Sequence, residues 1–305
     1  FSPCPEGTQS DGYSLAAPAV VVLILGLVAA FPLVRRCRAR REGRSAAAPA
    51  RVDPTSTTLA PAAAEPAAAA SAAPRGLDIS FERLAVRLAH RTIVHECSGA
   101  IRRATVTAVM GPSGCGKTTF ISALAGRARF DGRVLINGVK YDDGLAACGG
   151  AFALCPQEDV MYRNLTVGEN VWLSATLRLG RPRAEVNAAV DAVLASMSLL
   201  HRRDAVVGDE NVRGVSGGER KRTNVAMELV ADPECLFIDE VTTGLDAAAS
   251  KEVVTCLRRV AATRGITVAS VLHQPRHEVF ALFDELKLIS RNGHMVYQGP
   301  PCDSA

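Results

Sequence analysis

The chain of 305 residues is long enough for one or two domains, and 48% hydrophobic with 22% charged residues is ordinary for a globular protein. Its formal net charge of +4 is local, because residues 35–51 hold seven arginines and one glutamate and leave the remainder slightly acidic. A single basic segment makes a nucleic-acid-binding surface the weaker interpretation. Nine cysteines without a C-x-x-C pair argue against a disulfide or zinc framework.

A long uncharged segment lies near the start of the chain. Residues 15–34 (LAAPAVVVLILGLVAAFPLV) carry no charged side chain, and they match the roughly 20 residues that a helix needs to cross a bilayer. The arginines that follow place residues 1–14 outside the cytosol and the rest of the chain inside it, by the positive-inside rule. A secretory signal peptide is the alternative, but its basic residues would precede the apolar segment. We therefore expect an extracytosolic tail at 1–14, a transmembrane helix at 15–34 and the lipid bilayer as a partner.

The next segment has the composition of a linker. Residues 45–75 contain 14 alanines and 5 prolines and no aromatic residue. Such a segment cannot bury enough apolar surface to offset the entropy lost on ordering. We expect residues 35–75 to be a basic flank and a disordered linker. Since the chain starts at Phe1 and ends just after a strand-like segment, we also expect it to be part of a longer protein.

From Gly76 onward, short apolar segments alternate with longer helical ones, and we expect one domain over residues 76–305. Five segments predict buried strands: 105–111, 132–138, 150–157, 235–240 and 266–274. Helices are predicted within 117–126, 167–179, 183–200, 217–231 and 247–263. This alternation favours an α/β fold, a sheet with a parallel core and helices packed on its faces.

Two further features refine this fold. The two consecutive helical segments between Gln157 and Val215 predict a helical subdomain. The final segment LKLISRNGHMVYQG predicts a hairpin that turns at Asn292 and Gly293.

A glycine-rich segment follows the first of these strands. GPSGCGKT, residues 111–118, fits the phosphate-loop pattern G-x-x-x-x-G-K-[ST]. Its three glycines let backbone N–H groups converge on phosphate oxygens, and the helix that starts near Gly116 directs its positive end at the same anion. Lys117 then supplies a charge to the β- and γ-phosphates, and the Thr118 hydroxyl is placed to bind Mg²⁺.

Two carboxylates end a later strand. CLFIDE delivers Asp239 and Glu240 to the carboxyl end of an apolar strand, where ligands of open α/β sheets bind. Asp239 is suited to bind Mg²⁺, and Glu240 is suited to act as a base that polarises the attacking water. Without the lysine loop, a solvated helix cap would be the better interpretation.

Five motifs in order resemble one known family. These are GPSGCGKTT (111–119), CPQED (155–159), VSGGERKR (215–222), IDEVTTGLD (238–246) and LHQP (272–275). Over about residues 77–300 they resemble the nucleotide-binding domain of the G (White/brown) subfamily of ABC transporters, and the N-terminal extension resembles plant-type half-transporters. The resemblance implies a P-loop NTPase with a RecA-like parallel-sheet core, a β subdomain and a helical subdomain.

The resemblance also implies the roles of individual residues toward ATP and Mg²⁺. Catalysis would fall to Glu240, His273, Gln157 and Lys117, and the metal ion to Thr118, Gln157 and Asp239. Nucleotide contacts would come from Gly111, Pro112, Ser113, Gly114, Cys115, Gly116, Lys117, Thr118, Thr119, Gln157, Ser216, Gly217, Gly218, Asp246 and His273. In this family two cassettes sandwich two ATP molecules head to tail, so Ser216, Gly217 and Gly218 would contact the γ-phosphate held by the opposite subunit.

Some positions depart from the family pattern. Val241 stands where the family usually has proline, which predicts a looser turn and allows slowed hydrolysis. The aromatic residue that stacks on adenine has no match, which leaves side chains near His90 and Arg91 as candidates.

Cys115 lies at a helix N-terminus, a setting that lowers a thiol pKa, so we expect alkylation there to block nucleotide binding; a buried inert thiol is the alternative.

The function expected from these features is ATP hydrolysis that powers export of lipid-like or other amphipathic molecules by a half-transporter. The partners would be a second half-transporter, identical or different, and a transmembrane domain C-terminal to residue 305. The protein would lie in a membrane with its ATP-binding domain in the cytosol. The alternatives are a membrane-tethered nucleotide-binding scaffold with weak hydrolysis and a non-transport ABC ATPase.

Overall fold

The computed structural model of the chain describes residues 75–88, 91–140, 150–209 and 211–301. The predicted tail, transmembrane helix and nearly all of the predicted linker lie outside these residues. Within the described ranges, no helix is both long and apolar enough to span a membrane.

Strands and helices alternate along the described residues. The strands are β1 (Ile79–Leu88), β2 (Arg91–Ile101), β3 (Val106–Met110), β4 (Asp131–Ile136), β5 (Val139–Lys140), β6 (Phe152–Cys155), β7 (Cys235–Ile238), β8 (Thr267–Val271), β9 (Glu285–Ile289) and β10 (Met295–Gly299). The helices are α1 (Lys117–Leu124), α2 (Val167–Leu179), α3 (Arg183–Ser196), α4 (Gly217–Leu229), α5 (Ala247–Arg264) and α6 (His277–Phe280), and a 3-10 turn covers Leu200–Arg202.

The larger sheet confirms the predicted parallel core. Its strand order is β10-β9-β3-β8-β7-β6, and every neighbouring pair from β9 to β6 is parallel. The last two strands, β9 and β10, form the predicted antiparallel hairpin, and its turn contains Gly293 at φ 80°. The carboxyl ends of β3, β6, β7 and β8 therefore meet at one edge of this sheet.

A second, antiparallel sheet has the order β2-β1-β4-β5, and its two long strands, β1 and β2, were not predicted individually. The burial along β1 explains why. Ile79 and Phe81 are buried, but Arg83 adopts φ 48° and the register shifts there, so that the next buried residues are three in succession, Leu84, Ala85 and Val86. This bulge breaks the alternation of period two by which strands are recognised.

Helix α1 lies where it contacts both sheets. It packs on β1 and β2 on one side and on β8 on the other, and Phe120 meets Phe81 edge to face with ring centroids 5.5 Å apart. One apolar core surrounds α1, and a second core on the opposite face of the larger sheet contains α2 to α5. The loop before α1 is therefore held by a fully packed helix.

The predicted helical subdomain is present, with one boundary changed. Helix α2 begins with a capping box between Thr166 and Glu169, and it packs against α3 and α4. Helix α3 ends at Ser196 rather than at 200. The chain leaves the helix at Met197, and Ser198 has φ 55°, a conformation that a helix cannot continue through.

Candidate functional site

The phosphate loop joins β3 to α1 with its glycines in conformations that other residues rarely adopt. Gly111 has φ 154°, and a Cβ there would collide with the carbonyl oxygen of Ile289 and with the Cys115 sulfur. Gly114 has φ 76° and nothing within 4 Å of a Cβ position. The loop is therefore packed tightly at its start and open at its tip, next to the exposed Pro112 and Ser113.

The lysine of the loop is buried with neutral partners. Lys117 is 6% exposed, and its ammonium donates to the carbonyl oxygens of Gly111 and Pro112, both at 2.9 Å. A buried ammonium needs an opposite charge to offset its desolvation, and no carboxylate is among its hydrogen-bond partners in the described residues. This arrangement fits an anion at the loop.

Asp239 and Thr118 meet at the carboxyl end of β7. The Thr118 hydroxyl donates to Asp239 Oδ1 at 3.0 Å, and Asp239 is 6% exposed. Burial and, to a smaller extent, the neighbouring charge of Glu240 raise the pKa of Asp239 above its ordinary value, although the Thr118 hydrogen bond and two lysines oppose this rise. A cation beside Asp239 would relieve the same cost.

The site supplies only part of a metal coordination shell. The described residues hold no group of three or more His, Cys, Asp or Glu side chains placed to hold a metal ion. Mg²⁺ usually takes one or two protein oxygens and completes its octahedron with water and substrate phosphates. Thr118 and Asp239 fit that pattern.

Glu240 is held by two donors on one oxygen. Its Oε2 accepts the Gln157 amide N–H at 2.8 Å and the Thr243 hydroxyl at 2.8 Å. Its backbone has φ 52°, a conformation that costs energy for a residue other than glycine and is concentrated at functional sites. The carboxylate, half-buried, therefore stands between the ends of β6 and β7 with a fixed orientation.

His273 closes the site from the end of β8. Its Nε2 lies 2.6 Å from the Ser113 hydroxyl of the phosphate loop. A cavity of about 620 Å³ lies beside this contact, lined by Ser113, Glu240 and His273 together with residues 242–247 and 274–276. The structure thus brings Lys117, Thr118, Gln157, Asp239, Glu240 and His273 to one edge of the sheet.

Ser216, Gly217 and Gly218 make a separate set of contacts. The Ser216 hydroxyl accepts the Glu219 N–H at 3.2 Å, and Glu219 accepts the Ser216 N–H at 2.8 Å, which forms a capping box at the start of α4. A Cβ on Gly218 would lie 2.9 Å from Ala249 of α5. In the described residues no hydrogen bond links this segment to the phosphate loop.

Asp246 has a structural role within its own chain. Its Oδ1 accepts the Ala249 N–H at 2.8 Å and caps α5, while the residue also lines the cavity. The cap accounts for the aspartate without a nucleotide. Its predicted nucleotide contact stays a prediction.

Lys221 is a site residue that the sequence did not reveal. It is 5% exposed, donates to the Gln157 carbonyl at 2.9 Å and lies 3.6 Å from Asp159. It therefore ties α4 to the segment that carries Gln157. In the sequence Lys221 is one of several charged residues in the run GERKR, and only the packing of α4 shows that it is buried.

Three sequence expectations are changed or left open. Cys115 is 1% exposed and packs in the core around α1, which favours the inert thiol over an alkylation site. Val241 is fully buried in the other core, so its turn is anchored rather than loosened. Of the two residues suggested for adenine, His90 lies outside the described residues and Arg91 is exposed at the start of β2.

We expect Asp239→Asn to stabilise the nucleotide-free chain at neutral pH by about 1 kcal/mol, as is common when a functional group under strain is removed. The folded protein binds the Asp239 proton more tightly than the unfolded chain does, so the ionised carboxylate lowers stability at any pH above the raised pKa. The extra stability of the Asp239→Asn chain should shrink as the pH falls through the raised pKa toward the ordinary aspartate range. Thermal unfolding of both chains from pH 8 down to about pH 4, near the ordinary aspartate pKa, measures the difference in midpoint, and a lower midpoint for the variant at pH 8 would contradict the prediction.

Comparisons with known proteins agree with this geometry. The ABC transporter family model matches residues 94–243. ABC transporter G family member 28 of Arabidopsis thaliana is 39% identical over 231 residues, which are 73% of this chain and 21% of that protein. The broad substrate specificity ATP-binding cassette transporter ABCG2 of Mus musculus is 38% identical over 215 residues, which are 69% of this chain and 32% of that protein.

A solved structure gives the same fold. CbiO1 of Clostridium perfringens, part of the ABC transporter complex CbiONQ, superposes with a TM-score of 0.65 at 24% identity, over 73% of this chain and 88% of that one. The chain spans between about a fifth and a third of the length of the curated relatives it matches. The chain therefore contains an ABC transporter domain over residues 94–243, and curated relatives that it matches are members of the G family, also called the White/brown complex.

Proposed function

We propose that the chain binds and hydrolyses ATP with Mg²⁺ as the motor subunit of a half-transporter. The observation that carries the proposal is the meeting of the phosphate-loop lysine, two strand-end carboxylates and a strand-end histidine at one edge of the larger sheet, beside a cavity that Glu240 and His273 line. The family match and the G-family relatives support it.

The residues divide into three tasks. Lys117 and the backbone of Gly111 to Thr119 hold the phosphates, which would take the place of the carbonyl oxygens that Lys117 contacts now. Thr118 and Asp239, with Gln157, hold Mg²⁺, which supplies charge for the transferred phosphoryl group. Glu240 accepts a proton from the attacking water, and His273 binds the γ-phosphate.

A second chain completes the site in this proposal. The cavity beside Glu240 and His273 is open, and the N-terminus of α4 makes no hydrogen bond to the phosphate loop of its own chain within the described residues. A helix N-terminus binds anions through its free N–H groups and its dipole. Ser216, Gly217 and Gly218 of one chain would therefore meet the γ-phosphate held by the other, and ATP would join the two until hydrolysis removes the contact.

The transport step extends beyond the described residues. We propose that the protein lies in a membrane with this domain in the cytosol, that a transmembrane domain follows residue 305, and that the partner is a second half-transporter. The cargo would be lipid-like or otherwise amphipathic, and it would be exported. The names of the relatives, which are transporters, support a role in transport, and the predicted membrane segment at 15–34 supports the membrane location. The cargo class, the partner and the transmembrane domain rest on the family resemblance of the sequence motifs.

The composite site is tested with the full Glu240→Gln chain in detergent. Without the proposed base the ATP-bound dimer should accumulate, so light scattering should report a dimer with Mg²⁺ and ATP and a monomer with ADP. A Ser216→Arg change in the same background should bind ATP and remain a monomer, because the arginine blocks the start of α4. A Glu240→Gln chain that binds ATP and stays monomeric at high protein concentration would overturn the proposal.

A further inference from the structure

The start of α4 carries a negative charge at the point that the proposed function assigns to a phosphate. Glu219 is the third residue of α4, and its Oε2 accepts the Ser216 N–H at 2.8 Å. The side chain of Glu219 is 15% exposed. A carboxylate at this place repels the approaching triphosphate and competes with it for the positive end of the helix.

Glu219 is ionised at neutral pH. Burial raises the pKa of Glu219, but hydrogen bonds from Ser216 and the charges of Arg202 and Arg222 outweigh it, so that the pKa lies below its ordinary value. The repulsion is therefore present whenever the protein meets ATP under cellular conditions, unless a cation offsets it.

Arg202 is the cation paired with Glu219. It lies in the 3-10 turn after α3, and its Nε is 3.1 Å from Glu219 Oε1. That Nε is buried and makes no hydrogen bond within the described residues, so the contact is one of charge rather than of directed hydrogen bonding. The other nearby arginine, Arg222, also lowers the pKa of Glu219, but its ion pair is with Glu252 at 2.8 Å, so Arg202 is the arginine that pairs directly with Glu219.

We propose that Arg202 is a positioning residue of the composite site, which neutralises Glu219 so that the start of α4 can receive the γ-phosphate of ATP bound to a second chain. The proposal rests on the proposed function. Since Arg202 makes no contact with the phosphate loop in the described residues, its effect should fall on ATP-dependent dimerisation and not on ATP binding by its own chain.

The first test compares two neighbouring arginines in the full Glu240→Gln chain. Arg202→Gln should raise the ATP concentration that gives half dimer by about fivefold, the upper range for a partly exposed ion pair. Arg203→Gln is the matched control, because Arg203 pairs with Asp191 at 3.0 Å instead, and we expect less than about a twofold change from it. Arg202→Lys should behave like the parent, since a charge contact tolerates a different donor geometry.

A second background separates charge neutralisation from general damage to the fold. Glu219→Gln removes the charge and keeps the cap, because glutamine serves at this position of a capping box. In that background Arg202→Gln should have no further effect on dimerisation. A merely structural role would give the same loss in both backgrounds.

The possible outcomes divide as follows. A fivefold loss that vanishes in the Glu219→Gln background, with unchanged ATP affinity of the monomer, supports the inference. If Arg202→Gln causes no loss of dimerisation, or an equal loss in both backgrounds, the inference about Arg202 is overturned, while the proposed ATP-dependent dimer still stands. A Glu240→Gln parent that fails to dimerise overturns the proposed function and this inference with it.

Discussion

A Lys117→Ala chain should bind ATP about a hundredfold more weakly than the wild type, because it loses hydrogen bonds to a charged ligand. The ammonium lies at the start of α1 and is held 2.9 Å from two loop carbonyl oxygens, so it is oriented before the nucleotide arrives. Calorimetric titration with Mg²⁺ and ATP measures the change.

The control for this change is Lys251→Ala. Lys251 is an exposed lysine that pairs with Glu278 at 3.1 Å on the surface, and its removal should leave ATP affinity unchanged. A Lys117→Ala chain whose affinity stays within about twofold of the wild type would show that the phosphates bind elsewhere, since a lost charged hydrogen bond should cost more than that.

Glu240→Gln should slow ATP hydrolysis by between about a hundredfold and ten-thousandfold, the range for removal of a general base. Glutamine has the shape of glutamate and its amide oxygen can still accept from Gln157 and Thr243, which now donate to Glu240 at 2.8 Å each. ATP affinity should therefore be retained. Single-turnover measurement of phosphate release separates the chemical step from binding.

Glu278→Gln tests whether loss of any carboxylate has this effect. Glu278 lies on the surface in α6 and pairs with Lys251, so its change should leave hydrolysis intact. If Glu240→Gln hydrolysed ATP at the wild-type rate, Glu240 would not be the base, and another group at the cavity would have to activate the water.

The parallel half of the fold was predictable because its strands are buried on both faces. Segments such as VTAVM and CLFI consist mainly of apolar residues between turn signals, and helices of ordinary length separate them, so pattern and structure agree. The phosphate loop was also predictable, because the spacing of its glycines, lysine and threonine is set by the local geometry of one loop and the start of one helix.

The antiparallel sheet and the side-chain contacts of the site were harder to predict from the sequence. The bulge at Arg83 changes which residues of β1 face inward, and no local sequence pattern indicates this bulge. Lys221 and Arg202 acquire their roles from contacts with Gln157 and Glu219, residues that lie far away in sequence or on another element. Contacts of this kind depend on how α3 and α4 pack, which periodicity alone does not specify.

The most direct test of the composite site is the rate of ATP hydrolysis per chain, measured on the full wild-type chain over a wide range of protein concentration with ATP and Mg²⁺ saturating. If two chains complete each site, the rate per chain should rise with concentration and then level off as the dimer becomes the main species. A rate per chain that is measurable and constant from the lowest concentration upward, while light scattering reports a monomer, would contradict a site shared between two chains.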